Sequence, residues 1–304
     1  MGDPMRFDES YAFVHDVRES IGHIVTSYPF PGGHFLYSLL AHGWLRVFGD
    51  SVWAVRGIAV LAGVALIPVA YLAARALYDR GAAIWAAALC AGFAPLVDYS
   101  ANGRAYILGV LLTTAALALV ARLVDDPGRT GGWVAFAVCC MLAMYCVPTF
   151  AYAVATVALW AGAVALLRRD RRVLVRLAVA VAAAVAVAVV LYIPTFGDTG
   201  WDYANAMATV GGSIDRIVRR VWDHWSRGVP NPLVWLVAAG FLVSLVRHRR
   251  LARHAVPLAA PAIAVFLVAV AAGRAGPWAR TWLYVLPLYL IHAGAGLSHV
   301  ADRL

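Results

Sequence analysis

From residue 52 to residue 298 the chain is a succession of apolar runs, most of them separated by a few residues and two by the longer stretch 195–231. The run 173–194 holds one charged residue, Arg176, in 22 positions. About 20 consecutive apolar residues suffice to cross the hydrocarbon of a bilayer. A backbone in lipid must satisfy its own hydrogen bonds, which leaves helices or a closed barrel. The unbroken apolar runs lack the alternation of barrel strands, so the pattern predicts an all-α, polytopic membrane protein. The expected helices cover 52–77, 82–99, 104–122, 132–148, 150–167, 173–194, 232–246, 255–272 and 280–298, which makes about nine transmembrane helices. Pro148 alone marks the boundary between the fourth and fifth, because proline removes a helical donor and clashes with the preceding turn. Composition agrees: 63% of residues are hydrophobic and 13% charged, against about 45–50% and about 25% in soluble domains. A soluble domain of useful size is excluded.

Arginine sets the orientation. All 25 Lys and Arg residues are Arg. Threading nine spans puts 14 Arg and 5 acids on one side, from Arg75 and Arg80 to Arg303, and balanced charge on the other. Excess positive charge in short loops marks the cytoplasmic side. The chain is therefore expected in the plasma membrane, with residues 1–50 outside and the C-terminus cytoplasmic. The arginines belong to membrane topology, and nucleic acid is not an expected partner. Cys90, Cys139, Cys140 and Cys146 lie in apolar runs without metal-ligand spacing; no disulfide framework or zinc site is expected.

Residues 1–30 contain no run long enough to span. Instead, Tyr11, Phe13, Val14, Val17, Ile21, Ile24 and Val25 approximate one helical face, predicting an amphipathic helix lying on the outer surface. A turn rich in proline and glycine, 28–34, follows, and then a helical stretch, 35–48, too short to span. In the long outer loop 195–231, Ile214, Ile217, Val218, Val221, Trp222 and Trp225 share one face, with Asp215, Arg216, Arg219, Arg220 and Asp223 opposite. This is a second interfacial helix, serving either as a roof over a cavity or as a membrane anchor. The whole chain is expected to form one transmembrane domain: segment 1–50, six spans over 52–194, the loop 195–231 and three spans over 232–304.

Charges at the ends of spans are functional candidates. On the outer side they are Asp8 and Glu9, the turn 98–106 with Asp98, Asn102, Arg104 and Tyr106, and Arg274 and Arg280 around the last outer turn. Carboxylates with arginines on one face suit group transfer from a lipid-linked phosphate. A carboxylate takes the proton of an acceptor hydroxyl, and guanidinium groups hold the departing phosphate. Tyr106 offers a hydroxyl donor. His34 reads most simply as a hydrogen-bonded surface residue, and Arg56 as an interfacial anchor.

Three stretches resemble the GT-C glycosyltransferases, the branch with protein O-mannosyltransferases and aminoarabinose transferases. Phe7-Asp8-Glu9-Ser10-Tyr11 is similar to their acidic "DEA-Y" motif. The stretch that begins PGGHFLYSLLAHGWLRVFGD and ends LVDYSANGRAY, at Tyr106, resembles their "HPPLYYLLLHLWLRLFG…YSQEARMY" block. Arg280-Thr-Trp-Leu-Tyr-Val-Leu-Pro287 resembles their "R-YLLP" motif. The resemblance implies a GT-C-like fold and a membrane enzyme that moves a sugar from a polyprenyl phosphate to a lipid, glycan or protein hydroxyl, with inversion. It implies Asp8 as general base, Glu9 as its support, and Arg104 and Arg280 on the donor phosphate. No cofactor beyond the lipid-linked donor is implied, and the need for a divalent metal is open. Three features depart from the family: no span precedes the acidic pair, Ala101-Asn102 replaces Gln-Glu, and the His follows two glycines. They keep a second reading in play, a non-catalytic relative that binds or assembles. A transporter ranks last, because no paired repeats or broken helices mark a midplane site.

Overall fold

The computed structural model describes residues 5–28, 33–198, 201–202, 213–273 and 278–303. Among them the chain is helical throughout: α1 (Phe7–Ala12), α2 (Ile21–Thr26), α3 (Phe35–Phe48), α4 (Val52–Leu77), α5 (Arg80–Gly92), α6 (Ala94–Ser100), α7 (Tyr106–Leu123), α8 (Thr130–Cys146), α9 (Ala151–Arg168), α10 (Arg171–Tyr192), α11 (Ile214–Ser226), α12 (Asn231–Val246), α13 (His248–Leu251), α14 (Ala259–Ala271) and α15 (Val285–Ala301). Each of the nine expected segments contains helix. Four stretches are long and apolar enough to cross a membrane as single helices: Val52–Leu77, Tyr106–Leu123, Pro148–Arg168 and Arg171–Thr195. At about 1.5 Å per residue, the 26 residues of α4 reach about 39 Å. The expected helix 82–99 is a pair, α5 and α6, bent by 58°. The break falls at Phe93, which is extended, two residues before Pro95; a proline there lacks the N–H that would continue α5 and its ring clashes with the preceding turn.

Local chemistry fixes the other ends. Ser51, Asp79 and Asp170 accept hydrogen bonds from the first-turn N–H groups of α4, α5 and α10, satisfying donors that a helix start leaves orphaned. Val147 is extended and Pro148–Phe150 forms one 3-10 turn, so Pro148 does separate α8 from α9.

The long helices pack side by side in an order unlike their order in sequence: α12, α15, α5, α4, α7, α8, α10, α9, α14. Lipid tails are as apolar as leucine, so association in a membrane depends on close approach and small residues. Helix α15 shows this on two faces. A Cβ on Gly296 would lie 1.8 Å from the Gly240 carbonyl oxygen of α12, and one on Gly294 would lie 2.8 Å from the Ala86 nitrogen of α5. Both backbones therefore touch α15 directly, and any side chain at either glycine would push the helices apart.

The N-terminal lead differs from its expected form. It is not one amphipathic helix: α1 runs into a π-turn at Phe13–Val17, and α2 starts afresh after Ser20. Its burial is mixed. Ala12, Val17 and Ile24 are buried together with Glu9 and Asp16, whereas Phe7, Val14 and Ile21 are exposed along with Arg6, Arg18 and Glu19.

Candidate active site

Ion pairs hold the lead to the end of the bundle where α4 and α7 begin; besides an exposed pair of Arg18 with Asp50, they involve Arg6, Glu9 and Asp8. Arg6, exposed, pairs with Asp98 of α6. Glu9, 1% exposed, receives Arg56 of α4 in a forked pair, Nε to Oε1 at 2.7 Å and Nη2 to Oε2 at 2.8 Å. The backbone N–H of Gly103 donates to Glu9 Oε1 at 2.8 Å. A Cβ on Gly103 would come within 2.9 Å of that oxygen, so the carboxylate fits because the residue has no side chain. Burial alone would push the Glu9 carboxyl up. The bonds from Arg56 and from the Gly103 and Arg6 N–H groups outweigh it and hold the group below its usual range. Arg56, read from the sequence as an interfacial anchor, is thus a buried ion-pair partner. Its place at the first turn of a span, 47 residues from Glu9, gave no local sign of that.

Asp8 makes the third contact. Its Oδ2 accepts from Arg104 Nη1 at 2.6 Å and from Arg280 Nη1 at 2.9 Å. Unlike Glu9, the Asp8 side chain is 37% exposed. The adjacent acids therefore differ in position: Glu9 is locked beneath the lead, and Asp8 faces an accessible surface between two guanidinium groups.

Behind Asp8, Arg104 is held by His34. Arg104 Nε donates to His34 Nε2 at 3.0 Å, and Nη2 lies 2.6 Å from the same nitrogen. A nitrogen that faces two donors must carry its lone pair, so the ring is neutral with its proton on Nδ1. Burial and the nearby Arg104 and Arg280 keep His34 well below its ordinary value. His34 is therefore an orienting acceptor rather than a surface residue. Tyr106 also acts through its ring: Arg104 Cζ lies 5.4 Å and Arg280 Cζ 5.6 Å from its centroid, within the range of cation–π attraction. Its hydroxyl makes no hydrogen bond among the described residues. Asn102 is buried; its carbonyl accepts from the Arg104 N–H at 2.7 Å, shaping the turn that presents Arg104. Arg274 lies outside the described residues.

One acid escaped the sequence reading. Asp16, on the π-turn, is 6% exposed, and its carboxylate meets no hydrogen-bond donor among the described residues. Burial pushes it up to about 7, against the pull of Arg104. The folded chain keeps a proton there that an unfolded aspartate releases near pH 4, so this residue lowers stability as pH rises from about 4 to about 7. Asp16→Asn should melt at a higher temperature than the parent at pH 8 and at the same temperature near pH 4, in melting curves of the detergent-solubilised protein.

An apolar cleft lies beside the arginine pair. Helix α11 places Val218, Val221, Trp222 and Trp225 over it, facing Phe241 of α12, Ile263 and Phe266 of α14, and Trp282, around about 250 Å³ of space. The expected amphipathic helix is present, and part of its apolar face lines the cleft while Ile214 and Val218 remain exposed. Tyr99 fastens it, its hydroxyl 3.1 Å from His224 Nε2. Trp282, stacked on Tyr152 at 5.5 Å, lines the cleft two residues from Arg280. Among the described residues no three His, Cys, Asp or Glu side chains gather in a way that could hold a metal ion.

This geometry sits on the fold of a polytopic, GT-C membrane glycosyltransferase. The family model for dolichyl-phosphate-mannose-protein mannosyltransferase matches residues 32–196, more than half of the chain, and the chain belongs to that family. Among solved structures it is similar to ArnT from Cupriavidus metallidurans. The apo form superposes with a TM-score of 0.65 at 17% identity, over 99% of this chain and 56% of that one. The form bound to undecaprenyl phosphate gives 0.64 at 19% identity, over 92% and 50%. The chain thus spans about half the length of those proteins. Comparison with curated proteins finds no match.

Proposed function

We propose that the chain transfers a sugar from a polyprenyl-phosphate donor to a hydroxyl of a lipid, glycan or protein, with its site on the outer face of the plasma membrane. The observation that carries this is the convergence of Arg104 and Arg280 on one Asp8 oxygen. Two guanidinium groups that meet on a carboxylate also suit a phosphate, since both ligands offer the same charged acceptors. The donor phosphate takes their N–H groups and displaces Asp8 toward the acceptor. The acceptor oxygen attacks the anomeric carbon, its proton passes to the Asp8 carboxylate, and the bond from that carbon to the phosphate oxygen breaks. The polyprenyl phosphate leaves with its new charge held by the arginines, and a single displacement inverts the anomeric centre. The cleft under α11 receives the apolar chain of the donor, and ArnT bound to undecaprenyl phosphate is a relative in fold that takes such a lipid.

The surplus of arginine at the opposite end of α4 supports the outward placement, with the C-terminus cytoplasmic. Arg280→Ala tests the donor assignment. A charge-assisted hydrogen bond contributes about 1.5–3 kcal/mol, so the KM for a labelled polyprenyl-phosphate sugar should rise roughly 10- to 100-fold in membranes carrying the variant. An unchanged KM would remove Arg280 from the phosphate site. The non-catalytic reading draws on the same contact, because Asp8 is already occupied by both arginines; it requires that wild-type membranes transfer no sugar while still retaining the labelled donor.

A further inference from the structure

We propose that the end of the bundle far from Asp8 carries a second anionic site, a pocket for the phosphate headgroup of an anionic phospholipid, formed by Arg75, Arg122 and Arg253. It is independent of sugar transfer. The three guanidinium groups come from separate elements: the last turn of α4, the last turn of α7 and the loop after α13. They surround about 270 Å³ of space whose floor is Ala76 and Ala121. Alanine leaves the floor open, where longer side chains would fill it.

Positive charge is in excess in this pocket. Asp125 lines it as its one acid and is paired with Arg168 from outside, Nη1 to Oδ1 at 2.7 Å. Arg168 is itself tied to the Val124 carbonyl at 3.0 Å and to His254 Nδ1 at 2.9 Å, so the arrangement is fixed. Arg75, Arg122 and Arg253 form no ion pair among the described residues. Arg253 is held in place by the end of α4: its N–H donates to the Leu77 carbonyl at 2.9 Å and its Nε to the Tyr78 carbonyl at 2.7 Å.

Arginine in a last helical turn complements the helix dipole, which accounts for Arg75 and Arg122 singly. It does not account for three cations meeting over a floor of alanines beside one acid that already has its own arginine. The pocket opens where α4 leaves the bilayer, one turn beyond the exposed Leu72. A phospholipid can set its phosphate among the arginines there and lay its acyl chains along α4. Basic pockets between spans at the membrane surface are the physical form of such recognition.

The test uses the full chain in neutral detergent, titrated with phosphatidylglycerol, phosphatidylcholine or inorganic phosphate and read by native mass spectrometry. Phosphatidylglycerol should bind at least tenfold more tightly than phosphatidylcholine. Each of Arg75→Gln and Arg122→Gln should weaken it about fivefold, whereas Arg172→Gln, an exposed arginine outside the pocket, should leave it unchanged. Equal binding of the two lipids, or equal loss in Arg172→Gln, overturns the site. Inorganic phosphate that displaces phosphatidylglycerol at equal concentration assigns the pocket to a soluble phosphate and overturns the lipid. Arg253 is left intact because its backbone contacts serve the fold.

Discussion

Asp8→Asn should lower sugar transfer by on the order of 10²- to 10⁴-fold, the range that one positioned general base contributes. Asparagine keeps the size and the carbonyl oxygen that Arg104 and Arg280 contact at 2.6 and 2.9 Å, and loses the capacity to take a proton. Membrane insertion should be close to wild type, and melting temperature should fall less than in Arg56→Ala, since asparagine still offers the buried Arg104 an acceptor oxygen and the lead is held by Glu9 and Arg6 as well. The measurement is turnover of labelled polyprenyl-phosphate sugar at saturating donor. Turnover within threefold of wild type would end the assignment of Asp8 as base.

The second large effect belongs to the neighbouring acid and is one of stability. Arg56→Ala leaves Glu9 buried without its guanidinium. Breaking a buried pair from one side costs about 3–5 kcal/mol, enough to release the lead from the bundle. Melting temperature and activity should therefore fall together in Arg56→Ala, in contrast with Asp8→Asn. A double substitution, Glu9→Leu with Arg56→Met, removes both charges at similar volume and should recover much of the stability. Thermal melts of the three proteins in one detergent decide it: a double variant no more stable than Arg56→Ala alone would show that the pair itself is irreplaceable.

The two acids show what a sequence discloses and what it withholds. Apolar length is a property of the chain read locally, so the segments 52–77, 104–122 and 173–194 match α4, α7 and α10 closely. The acidic pair and the two site arginines stood out because charge is scarce in such a chain. The resemblance, and not the residues' own spacing, separated the expected jobs of the two acids. Glu9 is set apart from Asp8 by a contact with Arg56 and by the bare backbone of Gly103, 94 residues away. The lead misled for a related reason. Its apolar spacing was read as one continuous interfacial helix, whereas the π-turn at Phe13–Val17 and the new start after Ser20 break that face, and Glu9 and Asp16 are buried beside Ala12, Val17 and Ile24. His34 followed a turn with no hint that its ring would meet a guanidinium group 70 residues on.

The contact between Asp8 and Arg280 joins residues 272 positions apart, and it gives synthesis a direction. A ribosome delivers the lead long before Arg280, and in the interval Asp8 has Arg104 as its one partner of the two. Arg280 arrives just ahead of α15, the helix that slots by its glycines against α5 and α12. The two-arginine contact is therefore completed only once α15 has been delivered. Nascent chains that have not seated α15 lack the second guanidinium group, and under the proposed function they would hold the donor phosphate through Arg104 alone.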